Sequence, residues 1–206
     1  MDSDQTGTDA AEFIEIYDGG VGNTSLSGHV LVFYNGSSDL SYFAIDLTGS
    51  TNAQGYYTVG NAAVTGVDQT FAGNFLQNGA DAVALYTGSA SSFPNNTPIT
   101  TTNLVDAVVY DTGDVDDAGL LVLVNAAQPQ VDEDAGGAGI TNSIQRCPNG
   151  TGGARNTSTY AVFAPTPDAA NTCGGPVPPP LAQAKRGLWQ ELFTVLIRRG
   201  LPALLA

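Results

Sequence analysis

Short runs that are either apolar or strictly alternating recur along most of the chain, closed by turn-forming residues at intervals of about ten, and this pattern predicts strands. Glu12–Tyr17 alternates polar and apolar positions and stops at Asp18-Gly19-Gly20. His29–Tyr34 runs into Asn35-Gly36, a strong hairpin signal, and Tyr42–Leu47 alternates again. Gly55–Gly60 and Tyr160–Phe163 are further candidate strands, the second followed by Pro165 and Pro167. Two segments, Leu76–Tyr86 and Leu104–Asp111, echo each other: each sets an Asp-Ala-Val core in an apolar run that reaches a Tyr. Leu120–Val124 is apolar throughout, so periodicity does not decide between helix and strand. Turns at this spacing predict an all-β fold, an immunoglobulin-like antiparallel β-sandwich rather than a solenoid, which needs stricter self-similarity.

The pattern changes after Cys173. Gly174–Pro180 reads as a semi-rigid Gly/Pro linker. Beyond it, Leu188, Trp189, Leu192, Phe193, Val195, Leu196 and Ile197 share a broad helical arc, with Gln190, Glu191, Thr194 and Arg198 opposite. Gly200 and Pro202 end this amphipathic helix, which is too short to span a bilayer. The expected organisation is therefore a sandwich over 1–173, a linker over 174–180 and a helical tail over 181–206. In the tail, Leu188, Trp189, Leu192, Phe193 and Leu196 are the expected contacts with another chain, with the body or with an anionic membrane surface.

Charge separates the same two parts. Residues 1–180 hold 19 of the 20 acids against Arg146 and Arg155 alone, whereas 181–206 carry Lys185, Arg186, Arg198 and Arg199 against Glu191. An acidic body of this kind repels phosphate backbones, so nucleic-acid binding by the body is not expected. At 206 residues and 42% apolar content the chain has the core of one domain of ordinary size. The five N-glycosylation sequons, starting at Asn23, Asn35, Asn95, Asn149 and Asn156, mark surface loops in a chain rich in Asn, Ser and Thr.

Cys147 and Cys173 are the only cysteines, and with one His in the chain a disulfide is favoured over a zinc site. A bridge across that loop stabilises by roughly 3 to 4 kcal/mol on the chain-entropy argument and places the protein in an oxidising compartment, extracellular or at the cell surface. The opening Met1-Asp2-Ser3-Asp4 is acidic and polar, unlike a secretory signal, so export is expected to depend on an upstream start or another route.

The chemistry-bearing residues are few. His29 directly precedes an apolar run, where a structural role is expected, and no GxSxG elbow, Walker loop or HExxH pair occurs. Glu12 and Glu15 lie three apart in a predicted strand and should face opposite sides, one as a solvated acid and one as an edge partner. No catalytic residue and no resident cofactor are expected. The densest acidic loop, Asp111–Gly119, makes Asp111, Asp114, Asp116 and Asp117 candidate calcium ligands, completed by Asp132, Glu133 or Asp134. Compared with an EF-hand starting at Asp114 it fails at Ala118 and at Asn125, where a bidentate Glu is required. The alternative is a solvated turn with Asp as local caps.

Several of these segments, in order, carry a family resemblance: Glu12–Ile16, Leu26-Ser27-Gly28 leading into Val30–Val32, Gly55-Tyr56-Tyr57, Leu76–Tyr86, Val105–Tyr110, Ser143–Pro148 and Pro165–Asn171. From about Asp4 to Cys173 the chain resembles a bacterial lamin tail domain, with His29 standing where the family often has Trp. The resemblance implies an immunoglobulin-like sandwich of secreted proteins and a non-enzymatic binding or targeting role with a protein or cell-surface ligand. It also leaves open an accessory domain beside an extracellular nuclease or phosphatase, or a calcium-dependent adhesion module. It assigns no functional residue.

Overall fold

A computed structural model describes residues 1–173. The predicted linker and tail helix, with Leu188, Trp189, Leu192, Phe193 and Leu196, lie outside the described residues.

Ten strands are present: β1 (Phe13–Tyr17), β2 (His29–Asn35), β3 (Leu40–Asp46), β4 (Tyr56–Gly60), β5 (Val67–Thr70), β6 (Asp81–Thr87), β7 (Leu104–Asp111), β8 (Val131–Asp132), β9 (Ser143–Arg146) and β10 (Tyr160–Phe163). One sheet has the order β3-β2-β6-β7-β8, a second β1-β4-β5, and β9 pairs with β10. Most pairs are antiparallel, as expected, but β4 with β5 and β7 with β8 run parallel, a departure from the purely antiparallel expectation. The short segment Met1–Asp2 joins the two smaller sheets. Asp2 exchanges backbone hydrogen bonds with Phe13 at 2.9 and 3.1 Å, and Met1 exchanges them with Ile144 at 3.0 and 2.9 Å.

The two echoed runs are neighbours: β6 and β7 pair antiparallel, with Val83 opposite Val108 and Ala82 opposite Val109. Their near-continuous apolar character has a direct cause, since the five-stranded sheet is covered on both faces. Leu31 and Phe33 of β2, Val83 of β6, and Val108 and Tyr110 of β7 turn towards Ile14, Tyr57, Val59 and Ile144 of the other layer. The alternate residues Val30, Val32, Tyr34, Ala84, Tyr86 and Val109 turn outward and are covered by Phe93, Leu120, Leu123 and Val124. The result is a two-layer all-β sandwich with an extra cover on one side.

Where the strands differ from their expected bounds, tertiary contacts explain it. Leu76–Ala80 leaves the strand pattern because the Leu76 N–H is held by the Glu12 carboxylate at 2.7 Å rather than by a neighbouring strand. Leu120–Leu123 forms a single 3-10 turn, started by Asp117, whose Oδ1 accepts from the Gly119 and Leu120 N–H groups. The turn Asn35-Gly36 tolerates no side chain at its second position, since a Cβ on Gly36 would overlap the Ala80 carbonyl oxygen.

Candidate functional site

One recess of the described body is a cleft of about 290 Å³ beside Met1, lined by residues of β1, β6, β7 and β9. Its apolar lining comes from Ile14 and Ile16 of β1, Val83 and Leu85 of β6, Val108 of β7 and Ile144 of β9. At its rim Val105 stays 39% exposed. These side chains lie on the alternating inner faces of their strands, so the floor follows from the same period that builds the core.

Polar groups converge on this lining. The Arg146 guanidinium holds both Asp106 carboxylate oxygens at 2.8 and 3.0 Å and lies 5.2 Å from the Tyr160 ring centroid. It also donates to the Tyr160 hydroxyl at 3.2 Å. With its partner Asp106, the guanidinium forms a rigid planar wall. On the other face of β1 from Ile14 and Ile16, Glu15 accepts the Asp168 N–H at 2.6 Å and the Thr58 hydroxyl at 3.4 Å. Burial pushes the Glu15 carboxyl up to about 7, against the pull of the Met1 ammonium and these two donors. The Gln145 amide donates to Ser143, Phe163 and Ala164, while its buried Oε1 has no partner among the described residues.

The Cys147–Cys173 pair is at disulfide distance, with a Cα–Cα separation of 5.4 Å. It pins the end of the body beside the cleft, where the Asn171 side chain donates to the Arg146 carbonyl at 3.0 Å and the Asn171 N–H reaches Asn149 at 3.1 Å.

Two of the four candidate calcium residues, Asp111 and Asp117, are held in local hydrogen bonds. Asp111 is buried; one oxygen accepts the Gly113 N–H at 3.1 Å and the other the Gln130 side-chain amide. Asp117 caps the 3-10 turn, and Asp114 and Asp116 are exposed. Burial, then the charge of Asp117, raises the Asp39 carboxyl beside it. Among the described residues no three His, Cys, Asp or Glu side chains are grouped to hold a metal ion, so the loop does not bring these four together.

Two acids were misplaced by periodicity alone. Glu12 is fully buried, and its carboxylate accepts the Phe75 N–H at 2.9 and 2.8 Å as well as that of Leu76. Glu15 is half-buried against Thr58 and the Asp168 backbone, so neither is a solvated acid. A loop from residues 71 to 76 folds over Glu12, and local alternation carries no information about that return. Glu133, buried on β8's flank, accepts the Ser3 N–H at 3.1 Å and the Ser3 hydroxyl, and burial pushes it up to about 8. His29 opens β2, and its buried Nδ1 has no hydrogen-bond partner among the described residues.

Comparison with protein families, with characterised proteins and with solved structures returns no match to this chain.

Proposed function

We propose that this chain is a non-catalytic binding or targeting module of the extracellular space or cell surface, on an immunoglobulin-like sandwich similar to the bacterial lamin tail domain. Its protein or cell-surface ligand seats in the cleft between β1 and β9. The observation that carries this reading is the cleft itself: an apolar floor with a fixed polar group beside it, the Arg146 guanidinium held by Asp106. The Cys147–Cys173 pair supports an oxidising compartment. The acidic body disfavours a polyphosphate ligand. The single His of the chain, His29, has no carboxylate hydrogen-bonded to it among the described residues, which supports binding over general-base chemistry.

The test has two arms. In a fragment screen on isotope-labelled protein, the expected shift perturbations gather at Ile14–Tyr17 and Gln145–Tyr160; perturbations confined to other surfaces overturn the assignment of the cleft. With bis(p-nitrophenyl) phosphate, turnover equal to buffer is expected, and turnover abolished by His29→Ala overturns the non-catalytic reading.

A further inference from the structure

We infer that Asn78 is a self-modification site: its side-chain amide is lost by way of a succinimide formed with Gly79, leaving isoaspartate and aspartate at residue 78. The site lies on the loop that leads into β6 and does not line the cleft.

An Asn-Gly pair carries both reactants. When the Gly nitrogen loses its proton it attacks the Asn Cγ. The new N–Cγ bond closes a five-membered ring, the Cγ–Nδ2 bond breaks, and a proton from water lets that nitrogen leave as ammonia. A second water then opens the ring. Addition at Cγ gives aspartate; addition at the main-chain carbonyl carbon gives isoaspartate, in which the chain runs on through the side chain. Glycine favours the attack because no Cβ obstructs the approach and its backbone turns freely. Three such pairs occur, Asn35-Gly36, Asn78-Gly79 and Asn149-Gly150, and in sequence they are equivalent.

The fold separates them. At Asn35 both reactants are fixed: the Gly36 N–H donates to the Ala80 carbonyl at 3.1 Å and to Asp81 at 3.0 Å. The Asn35 side chain accepts the Ser37 N–H at 2.8 Å and the Ser37 hydroxyl at 2.6 Å, and donates to Gln77 at 2.6 Å. At Asn149 the side chain is held at both ends, accepting the Asn171 N–H at 3.1 Å and donating to the Tyr56 hydroxyl at 3.2 Å. Gly150 is also pressed on the Tyr17 ring, which a Cβ there would meet at 2.7 Å. Asn78 is held at one end only, by donation to Asp4 at 3.2 Å; its buried Oδ1 and the Gly79 N–H have no partner among the described residues. Gly79 is exposed, with no atom within 4 Å of where a Cβ would stand. The Thr112 hydroxyl ties the Asn78 carbonyl at 2.6 Å, but no main-chain hydrogen bond must open for Gly79 to turn onto Cγ. The product places a carboxylate where an amide donated to Asp4. Isoaspartate also adds a main-chain carbon between Leu76, held by Glu12, and Ala80, held by Gly36.

The test keeps the folded chain in mildly alkaline buffer and follows amide loss by mass in chymotryptic peptides, with isoaspartate scored by a protein isoaspartyl methyltransferase. Residue 78 is expected to react about tenfold faster than residues 35 and 149, because hydrogen bonds at those two must open first. In urea the three pairs are expected to react alike. Gly79→Ala is expected to slow residue 78 to the rate of residue 149 or below and to leave the other two unchanged. That variant keeps the fold, since Gly79 has open space and no positive φ. Equal loss at all three residues of the folded chain, or no loss at residue 78, overturns the site. The same order of rates in urea overturns the fold as its cause. Loss that yields aspartate alone, or that Gly79→Ala leaves unchanged, overturns the succinimide route in favour of direct hydrolysis.

Discussion

The two faces of the five-stranded sheet use the same strands and the same alternation, yet one is sealed and the other is breached. On the outer face the Tyr34 and Tyr86 hydroxyls meet at 3.0 Å, the Tyr86 hydroxyl also donates to the Thr100 carbonyl at 2.8 Å, and Phe93 packs 4.6 Å from the Tyr86 ring. Leu120 and Leu123 close it from a single helical turn. On the inner face a second layer of strands does the covering, and it leaves the cleft beside β1 and β9, with Val105 at the rim. Side chains from a turn can cover a sheet in any register that fits their volume. A layer of strands must also match backbone donors to acceptors, so it covers less continuously than side chains from a turn.

The sharpest way to break this contrast is to compare a sealed position with the breach. Phe33 is fully buried and touches the rings of Tyr42, Phe43, Phe71 and Phe75 at centroid distances of 5.2 to 6.2 Å. Phe33→Ala is expected to cost about 3 to 5 kcal/mol in urea denaturation, and Val105→Ala at the rim no more than about 0.5. Comparable costs would mean that the rim is packed like the core. Next, replacing both cysteines by Ser is expected to cost roughly 3 to 4 kcal/mol and to speed exchange of the Asn171 amide, whose bond to Asn149 beside the cleft is tied by that bridge. A loss of stability with no change in exchange there would separate the bridge from the cleft.

The buried acids give a third test, smaller in size. Burial holds Glu15 and Asp81 near 7 and Glu133 near 8, above the ordinary carboxyl range of the unfolded chain. Between those ranges the folded protein binds protons that the unfolded chain has released, so stability is fullest below about pH 4.5 for these groups and declines as pH rises through 7 and 8. Urea midpoints are expected to fall from pH 5 to pH 8.5, and Glu133→Gln to flatten that slope. A rising midpoint over the same interval would show that these carboxyls are not held neutral. The smallest effect belongs to the acidic loop: Asp114→Asn with Asp116→Asn is expected to change stability by no more than about 0.5 kcal/mol, with or without millimolar calcium. A calcium-dependent stabilisation lost in this double variant would establish the loop as a metal site.

Strands were legible wherever both faces or one face repeat an apolar period, as in His29–Asn35, Tyr56–Gly60 and the echoed Asp-Ala-Val runs. Those with too little apolar signal were not: Val67–Thr70 is half exposed and mostly polar, Val131–Asp132 has two residues, and Ser143–Arg146 has one aliphatic side chain. The cleft had no local signature, since Ile16, Leu85, Val105 and Arg146 come from four strands spread over the chain.

By itself the sequence determined the all-β class, through alternation and turn chemistry, and the cysteine pairing, because only two cysteines exist. It also placed the body's acidity, which is a sum over residues and needs no coordinates. Tertiary structure alone decided that Glu12 and Glu133 are buried, that Asp111 and Asp117 of the loop accept backbone N–H groups of its turns, and that Glu15 meets Asp168. The physical reason is that a strand's period tells which face a side chain takes but not which backbone lies alongside. Here that neighbour, Ile144 beside Met1, is 143 residues away.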